Sequence, residues 1–179
     1  MVDAPGALTG VAAVLLPLTS REIERRRAVH PLQNFAFADD APERRDATRE
    51  LFDEVRAGAF EAHVSDVVIA ELRNAGEPKR SQLLGLVDEI APVGLRLTDE
   101  AEQLAAKFVA NGMVPKQYGN DALHIAIALV EGVDVLLSWN FKHIVKLKTA
   151  RMVAEVCSQA GYELIEIRTP EEVINGEEE

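Results

Sequence analysis

The chain has 179 residues, the size of a single domain, and its apolar fraction of 47% is enough for a full hydrophobic core. Its only cysteine, Cys157, excludes an internal disulfide and a zinc site made of several thiolates, a usage typical of a reducing compartment. The net charge of −11 argues against a general electrostatic grip on nucleic acid. It leaves room for a nuclease whose carboxylates bind a metal ion.

Residues 1–38 have the least regular pattern in the chain. The apolar run at 7–18 is the only candidate targeting segment. It is shorter than the roughly 20 residues needed to span a bilayer, and it lacks both a basic region before it and a small-residue cleavage site after it. We therefore expect a soluble, cytoplasmic protein that makes no membrane contact.

From Asp39 onward, helical and strand patterns alternate. Strands are predicted at 60–65, 93–97, 133–139 and 163–168. The predicted helices cover 43–57 with Asp40 as cap, 66–74 capped by Asp66, 79–90, 98–112, a nearly all-apolar helix at 121–130, 141–160, and a short helix after the capping box Thr169-Pro170-Glu171-Glu172. This alternation predicts an α/β fold, namely a three-layer α/β/α sandwich with a mostly parallel central sheet.

Several polar residues follow predicted strands, and in parallel sheets ligands bind beyond the carboxyl ends of the strands. Asp66 and Glu71 follow the strand at 60–65, and Asn140 follows the strand at 133–139. Asp121 begins the buried helix before that second strand. Oxygen ligands of this kind suit Mg²⁺ or Mn²⁺, which can activate water for attack on a phosphodiester.

Each of these residues also has a purely structural interpretation. Glu71 could be a solvated helix position, and Asn120 with Asp121 could be an ordinary N-cap pair. Asn140 could simply cap the last long helix. His124, on an apolar helix, is more often a hydrogen-bonded core histidine than a ligand.

The basic stretch at 142–151 is usually a solvated helix face, although beside a metal site it could hold phosphates. Trp139 and Cys157 are predicted to be core residues. The sequence contains no Walker loop, GxGxxG, HExxH, GxSxG or zinc-type spacing, which excludes several common enzyme classes.

Three segments together resemble the PIN-domain family, in particular the VapC-like proteins of bacterial toxin–antitoxin pairs. They are SDVVIAEL (65–72), NDALHIAIALVEGVDVLLSWNFKHI (120–144) and IEIRTPEEVI (165–174). The resemblance covers about residues 39–174. It implies a Rossmann-like sandwich and a Mg²⁺- or Mn²⁺-dependent ribonuclease with a carboxylate cluster as its site.

The resemblance also implies residue roles and partners. Glu71 and Asp121 match the family's metal-binding acids, and Asn140 stands where many members have Asp and some have Asn. In an active enzyme, Lys142 or Lys146 would steady the RNA backbone. RNA is the implied substrate, and an antitoxin protein and a second copy of the chain are candidate partners.

The chain departs from the family pattern at its front, where members usually have a short strand ending in Asp. The residues before the helix at 43–57 read AVHPLQNFAFADD, so Asp39 and Asp40 look like a helix start. We therefore divide the chain into an atypical segment at 1–38, a PIN-like domain at 39–174 and an acidic tail at 175–179.

Two readings of function follow from this departure. One is an active nuclease in which Glu71 and Asp121 bind one metal ion with help from Asn140 and from Asp39 or Asp40. The other is a catalytically degenerate binding module that keeps a protein partner. A Rossmann-like phosphatase with an aspartyl nucleophile would need the same missing Asp and ranks below both.

Overall fold

The structure is a computed structural model that describes residues 41–174, together with the backbone of Ala12–Ala13 and Arg26–Val29. Asp39, Asp40 and the acidic tail at 175–179 lie outside the described residues, as does most of the segment at 1–38. The proposed contribution of Asp39 or Asp40 to the site therefore stays a prediction.

Helices and strands alternate along the described part of the chain. The strands are β1 (Ala12–Ala13), β2 (Arg26–Val29), β3 (Phe60–Ser65), β4 (Val93–Leu95), β5 (Val135–Ser138) and β6 (Glu166–Arg168). The helices are α1 (Pro42–Ala57), α2 (Asp66–Arg73), α3 (Lys79–Ile90), α4 (Asp99–Ala110), α5 (Gly119–Val130), α6 (Leu147–Ala160) and α7 (Pro170–Ile174), and a 3₁₀ turn at Lys116–Tyr118 precedes α5. The mixed α/β class predicted from the sequence is confirmed.

Strand pairing is parallel except at β1. β2 pairs with β3 and β3 with β4, and β5 pairs with β6, all in parallel. A single bridge, Ala28 to Val135, joins β2 to β5. β1 runs antiparallel to the end of β5, where Ala12 lies opposite Ser138. Parallel pairing places the carboxyl ends of β3 and β5 on the same side, which positions the residues that follow them.

The helix α5 and the strand β5 form the centre of the core, as their apolar sequences predict. In α5 every residue from Ala122 to Leu129 except Leu123 is buried, and all four residues of β5 are buried. Trp139 and Cys157 are buried too, which confirms both predictions. A polar side chain on α5 is therefore held in a low-dielectric environment.

The predicted cap of α2 is wrong by one residue. Ser65 is the N-cap, and its Oγ accepts a hydrogen bond from the backbone N–H of Val68 at 3.3 Å. Asp66 instead accepts a hydrogen bond from the backbone N–H of Leu97, 3.3 Å from Oδ2. Its carboxylate is thereby directed towards the end of β4 and not into the first turn of its own helix.

The long helix predicted at 141–160 begins only at Leu147, and residues 141–146 form turns. The carbonyl of Asn140 accepts hydrogen bonds from the N–H groups of both Ile144 and Val145. Thr149 Oγ1 donates to the carbonyl of His143 at 2.7 Å. These bonds close a compact turn directly after β5, so the helix can start only beyond it. The strands at 93–97, 133–139 and 163–168 are likewise shorter than predicted.

Candidate metal centre

Glu71 and the first turn of α5 are in direct contact. Glu71 lies on α2, and its Oε1 accepts a hydrogen bond of 2.7 Å from Nδ2 of Asn120. Nε2 of His124 lies 3.5 Å from the same oxygen. The Glu71 side chain is 17% exposed, so the alternative of a solvated helix position does not hold. These contacts join α2 to the helix that carries Asp121.

Asp121 is held from the opposite side by Asn140. Asn140 Nδ2 donates a 3.0 Å hydrogen bond to Asp121 Oδ1, and Asn140 Oδ1 accepts one of 3.0 Å from the backbone N–H of His143. Both groups are buried. The amide of Asn140 therefore connects the turn after β5 to the carboxylate on α5 and fixes the orientation of that carboxylate.

Each of the two carboxylates keeps one buried oxygen that accepts no hydrogen bond within the described part of the chain. These atoms are Glu71 Oε2 and Asp121 Oδ2. A buried carboxylate oxygen without a donor is unfavourable, and a hard divalent cation is one of the species, with a proton or a water molecule, that satisfies such an oxygen. Among residues 41–174, no group of three or more His, Cys, Asp or Glu side chains is arranged to hold a metal ion. Of the predicted ligands Glu71, Asp121 and Asn140, two are acids, and they come from two different helices.

The environment raises the pKa of Asp121 from its ordinary value of 3.8 to about 6. Burial is the largest cause, and the negative charge of Glu71 adds to it. His124, the hydrogen bond from Asn140 and the charge of Lys142 act in the opposite direction. That the charge of Glu71 acts on Asp121 at all agrees with the predicted convergence of the two acids.

His124 is the residue that sequence reasoning underestimated. It is buried, as a core histidine would be, but its Nε2 makes no hydrogen bond to any described residue and faces Glu71. Residues three apart on a helix lie on the same face, so the spacing of His124 from Asp121 was the signal that could have placed it beside the site.

Two of the structural interpretations, namely that Asn120 and Asp121 cap α5 and that Asn140 caps α6, are wrong. Tyr118 is the N-cap residue of α5, and no side chain caps that helix, so Asn120 and Asp121 are not an N-cap pair. The N-cap residue of α6 is Lys146, so Asn140 caps only the turn that precedes that helix. Instead, the side chain of Asn120 donates to the carboxylate of Glu71, and that of Asn140 donates to the carboxylate of Asp121.

The predicted phosphate-binding lysines lie on the turn after β5. Lys142 Nζ is 3.2 Å from the hydroxyl of Tyr118, and the positive charge of Lys142 lowers the pKa of Asp121. Lys146 Nζ donates to the backbone carbonyl of Lys142 at 2.7 Å. The ring of Tyr118 also packs on that of His143, with 4.2 Å between centroids.

Comparison with known proteins yields no relative, since no family model, no curated protein and no solved structure matches the chain. No helix in the described ranges has both the length and the apolar character required to cross a membrane.

Proposed function

We propose that the chain is a PIN-like, divalent-metal-dependent endoribonuclease of the toxin–antitoxin type, with the three-layer α/β/α sandwich expected for that family. The observation that carries the proposal is that Glu71 on α2 and Asp121 on α5 each keep one buried oxygen without a hydrogen-bond partner among the described residues, while the charge of Glu71 acts on Asp121. The parallel pairs β2–β3–β4 and β5–β6 support the sandwich. The resemblance of the segments around these residues to PIN domains supports RNA as the substrate.

The donor set fits Mg²⁺ or Mn²⁺. Glu71 Oε2 and Asp121 Oδ2 would hold the ion, and Mg²⁺ commonly binds through only one or two carboxylates together with water and substrate phosphate. When bound, the ion supplies an activated water molecule and stabilises negative charge on the phosphodiester.

The surrounding residues of the chain position these two acids. Asn120 fixes one oxygen of Glu71, and Asn140 fixes one oxygen of Asp121, so the remaining oxygen of each acid is oriented before any ligand arrives. Lys142 adds a positive charge beside the acids that would attract an RNA phosphate.

A second candidate function is a catalytically degenerate binding module that keeps a protein partner such as an antitoxin. It is favoured by a specific observation, namely that Asn140 supplies an amide where a third acid would strengthen metal binding. The same fold would then do no chemistry.

The deciding experiment combines RNA cleavage with a metal-binding readout that does not depend on activity. We expect Mn²⁺ at a hundredfold excess over its Kd to raise the melting temperature by about 5–10 °C. Asp121→Asn and Glu71→Gln should abolish both this shift and the Mn²⁺-dependent cleavage of a mixed RNA pool. Asp88→Asn, a matched change of an exposed acid on α3, should alter neither.

The possible results separate the two functions. No cleavage and no Mn²⁺ shift in the unchanged protein would favour the binding module. Cleavage that survives in both Asp121→Asn and Glu71→Gln would refute this site as the catalytic centre.

A further inference from the structure

An exposed aromatic ring lies beside the candidate metal centre. Phe141 directly follows Asn140 and is 47% exposed, and it is the only aromatic residue among the large exposed apolar side chains of the described residues. The guanidinium carbon of Arg44 lies 5.2 Å from the centre of its ring and 5.6 Å from that of Trp139, which is buried. Arg44 therefore lies against both an exposed ring and a core ring.

A second cation–ring pair involves the next residue in the chain. Lys142 Nζ lies 4.9 Å from the centre of the Tyr118 ring and 3.2 Å from its hydroxyl. Each pair is within the distance at which a cation is attracted to a ring face. One pair includes Phe141 and the other includes Lys142, so both involve the first residues of the turn that follows Asn140.

The segment that begins at Phe141 is positively charged, whereas the chain as a whole is negatively charged. The segment 141–151 contains Lys142, Lys146, Lys148 and Arg151 and no acid, in a chain of net charge −11. Arg44 at the exposed ring and Lys142 one residue further along the chain match a ligand that has both negative charges and flat π faces. Single-stranded nucleic acid has this combination, because its bases stack on aromatic side chains while its phosphates pair with Lys and Arg.

We propose that Phe141, Arg44 and Lys142 form an aromatic platform that binds single-stranded RNA. In this arrangement an unpaired base stacks on Phe141, and Arg44 and Lys142 neutralise the adjacent phosphates. The next stretch of RNA backbone then lies at Glu71 and Asp121. The proposal rests on the proposed function for the choice of single-stranded RNA, whose bases, unlike those of a duplex, have a free face to stack, and it adds the residues that bind those bases.

The test measures binding in the absence of cleavage. Fluorescence anisotropy with EDTA present would follow a labelled, unstructured RNA of about 12 nucleotides and the duplex of the same sequence. Phe141→Ala and Phe141→Leu should each raise the Kd for the single strand about tenfold or more, whereas Phe141→Trp should retain binding, because stacking needs a ring. Phe141 is exposed, so these variants should fold, which thermal unfolding would verify.

Two matched variants control for loss of apolar area and loss of charge. Leu164 is 64% exposed and precedes β6, at the opposite ends of the strands from Asn140, so Leu164→Ala should leave the Kd unchanged. Arg44→Ala should reduce the slope of log Kd against log salt by about 0.7. Arg56→Ala removes the same charge roughly 18 Å further along α1 and should not reduce it.

An unchanged Kd in both Phe141→Ala and Phe141→Leu would overturn the platform, and Phe141 would then be a candidate contact for a protein partner. Equal affinity for the duplex, with the same losses, would also overturn it. The two proposals fail separately. Cleavage that does not depend on Phe141 would remove the platform and keep the nuclease, whereas Phe141-dependent binding without cleavage or a Mn²⁺ shift would keep the platform and remove the nuclease.

Discussion

At the scale of single residues, the contact between Asn140 and Asp121 decides the character of the site. An amide can donate to a carboxylate, and Asn140 does so at 3.0 Å while its own oxygen accepts the N–H of His143. A carboxylate at the same position could accept the His143 N–H but could not donate to Asp121. The amide thus stabilises Asp121 in the absence of a cation, and an acid there would require one.

This contrast predicts the behaviour of Asn140→Asp. Without metal, the lost hydrogen bond and the new repulsion between two buried carboxylates should lower the free energy of unfolding by about 1–3 kcal/mol. With Mn²⁺, the third acid should tighten binding, since affinity rises with the number of charged ligands. Urea unfolding with and without Mn²⁺, together with calorimetric titration, would measure both effects.

Asn140→Ala is the control for this prediction, because it removes the hydrogen bonds without adding charge. It should destabilise the protein but give no gain in Mn²⁺ affinity. Weaker Mn²⁺ binding by Asn140→Asp than by the unchanged protein would show that this position does not face the metal.

At the scale of the elements, local sequence signals were sufficient for the mixed α/β class and for the bounds of several elements. The strand at 60–65 and the helix at 79–90 have the predicted bounds. Thr169 and Glu172 form the predicted capping box, in which Glu172 Oε2 accepts the Thr169 N–H at 2.7 Å and Thr169 Oγ1 accepts the Glu172 N–H at 3.3 Å. Such features depend on residues within one or two turns, so the sequence contains them directly.

Features that depend on distant residues could not be predicted in the same way. The turn at 141–146 replaces a helix because Asn140 binds both the following backbone and Asp121, which lies 19 positions earlier. The direction of the Asn120 side chain is likewise set by Glu71, 49 positions away. Position relative to the strands and the family resemblance therefore selected Glu71, Asp121 and Asn140. The hydrogen bonds by which Asn120 and Asn140 orient the two acids became visible only in three dimensions.

A long-range hydrogen bond also fixes α1 to the end of β5, beside the aromatic platform. Trp139 Nε1 donates to Thr48 Oγ1 at 3.0 Å, and Thr48 is completely buried. Thr48→Val keeps the side-chain shape but leaves the indole N–H without that acceptor. We expect the free energy of unfolding to fall by about 1–3 kcal/mol, measured by urea denaturation.

Thr48→Ser provides the comparison for this prediction, because it keeps the hydroxyl and removes a methyl group. It should be destabilised mainly by the small cavity, about 1 kcal/mol. The interpretation would be wrong if Thr48→Val proved as stable as the unchanged protein. In that case the indole N–H would have to be satisfied by another acceptor.

At the scale of the whole molecule, the burial of an acid that a metal site requires lowers the stability of the folded protein. The chain as a whole is acidic, and Asp121, a candidate ligand that is also an acid, is buried at 4% exposure. Because its pKa in the folded protein is about 6 and its ordinary value is 3.8, the folded state binds a proton that the unfolded state has already released in this range. Protonation of Asp121 therefore favours folding.

The pH dependence of stability follows directly from this difference. The stabilising contribution of protonated Asp121 to the free energy of unfolding is fully present below its ordinary pKa of 3.8. It decreases as the pH rises towards about 6 and is lost above that value. The shift corresponds to about 3 kcal/mol as an upper value. A divalent cation that binds the ionised carboxylate would offset the loss at neutral pH.

This opposition predicts that Asp121→Asn stabilises the protein while it removes metal binding. At pH 7.5 with EDTA, the free energy of unfolding should increase by up to about 3 kcal/mol, because a neutral amide replaces a buried charge and can still accept the hydrogen bond from Asn140. At pH 4 the difference from the unchanged protein should nearly vanish, since Asp121 is then protonated. Urea unfolding of both proteins across this range would measure the difference.

Asp88→Asn, which alters an exposed acid, should show no such dependence. A variant Asp121→Asn that is less stable at pH 7.5 would mean that the ionised carboxylate is satisfied within the protein, and the case for a cation at this site would lose its physical basis.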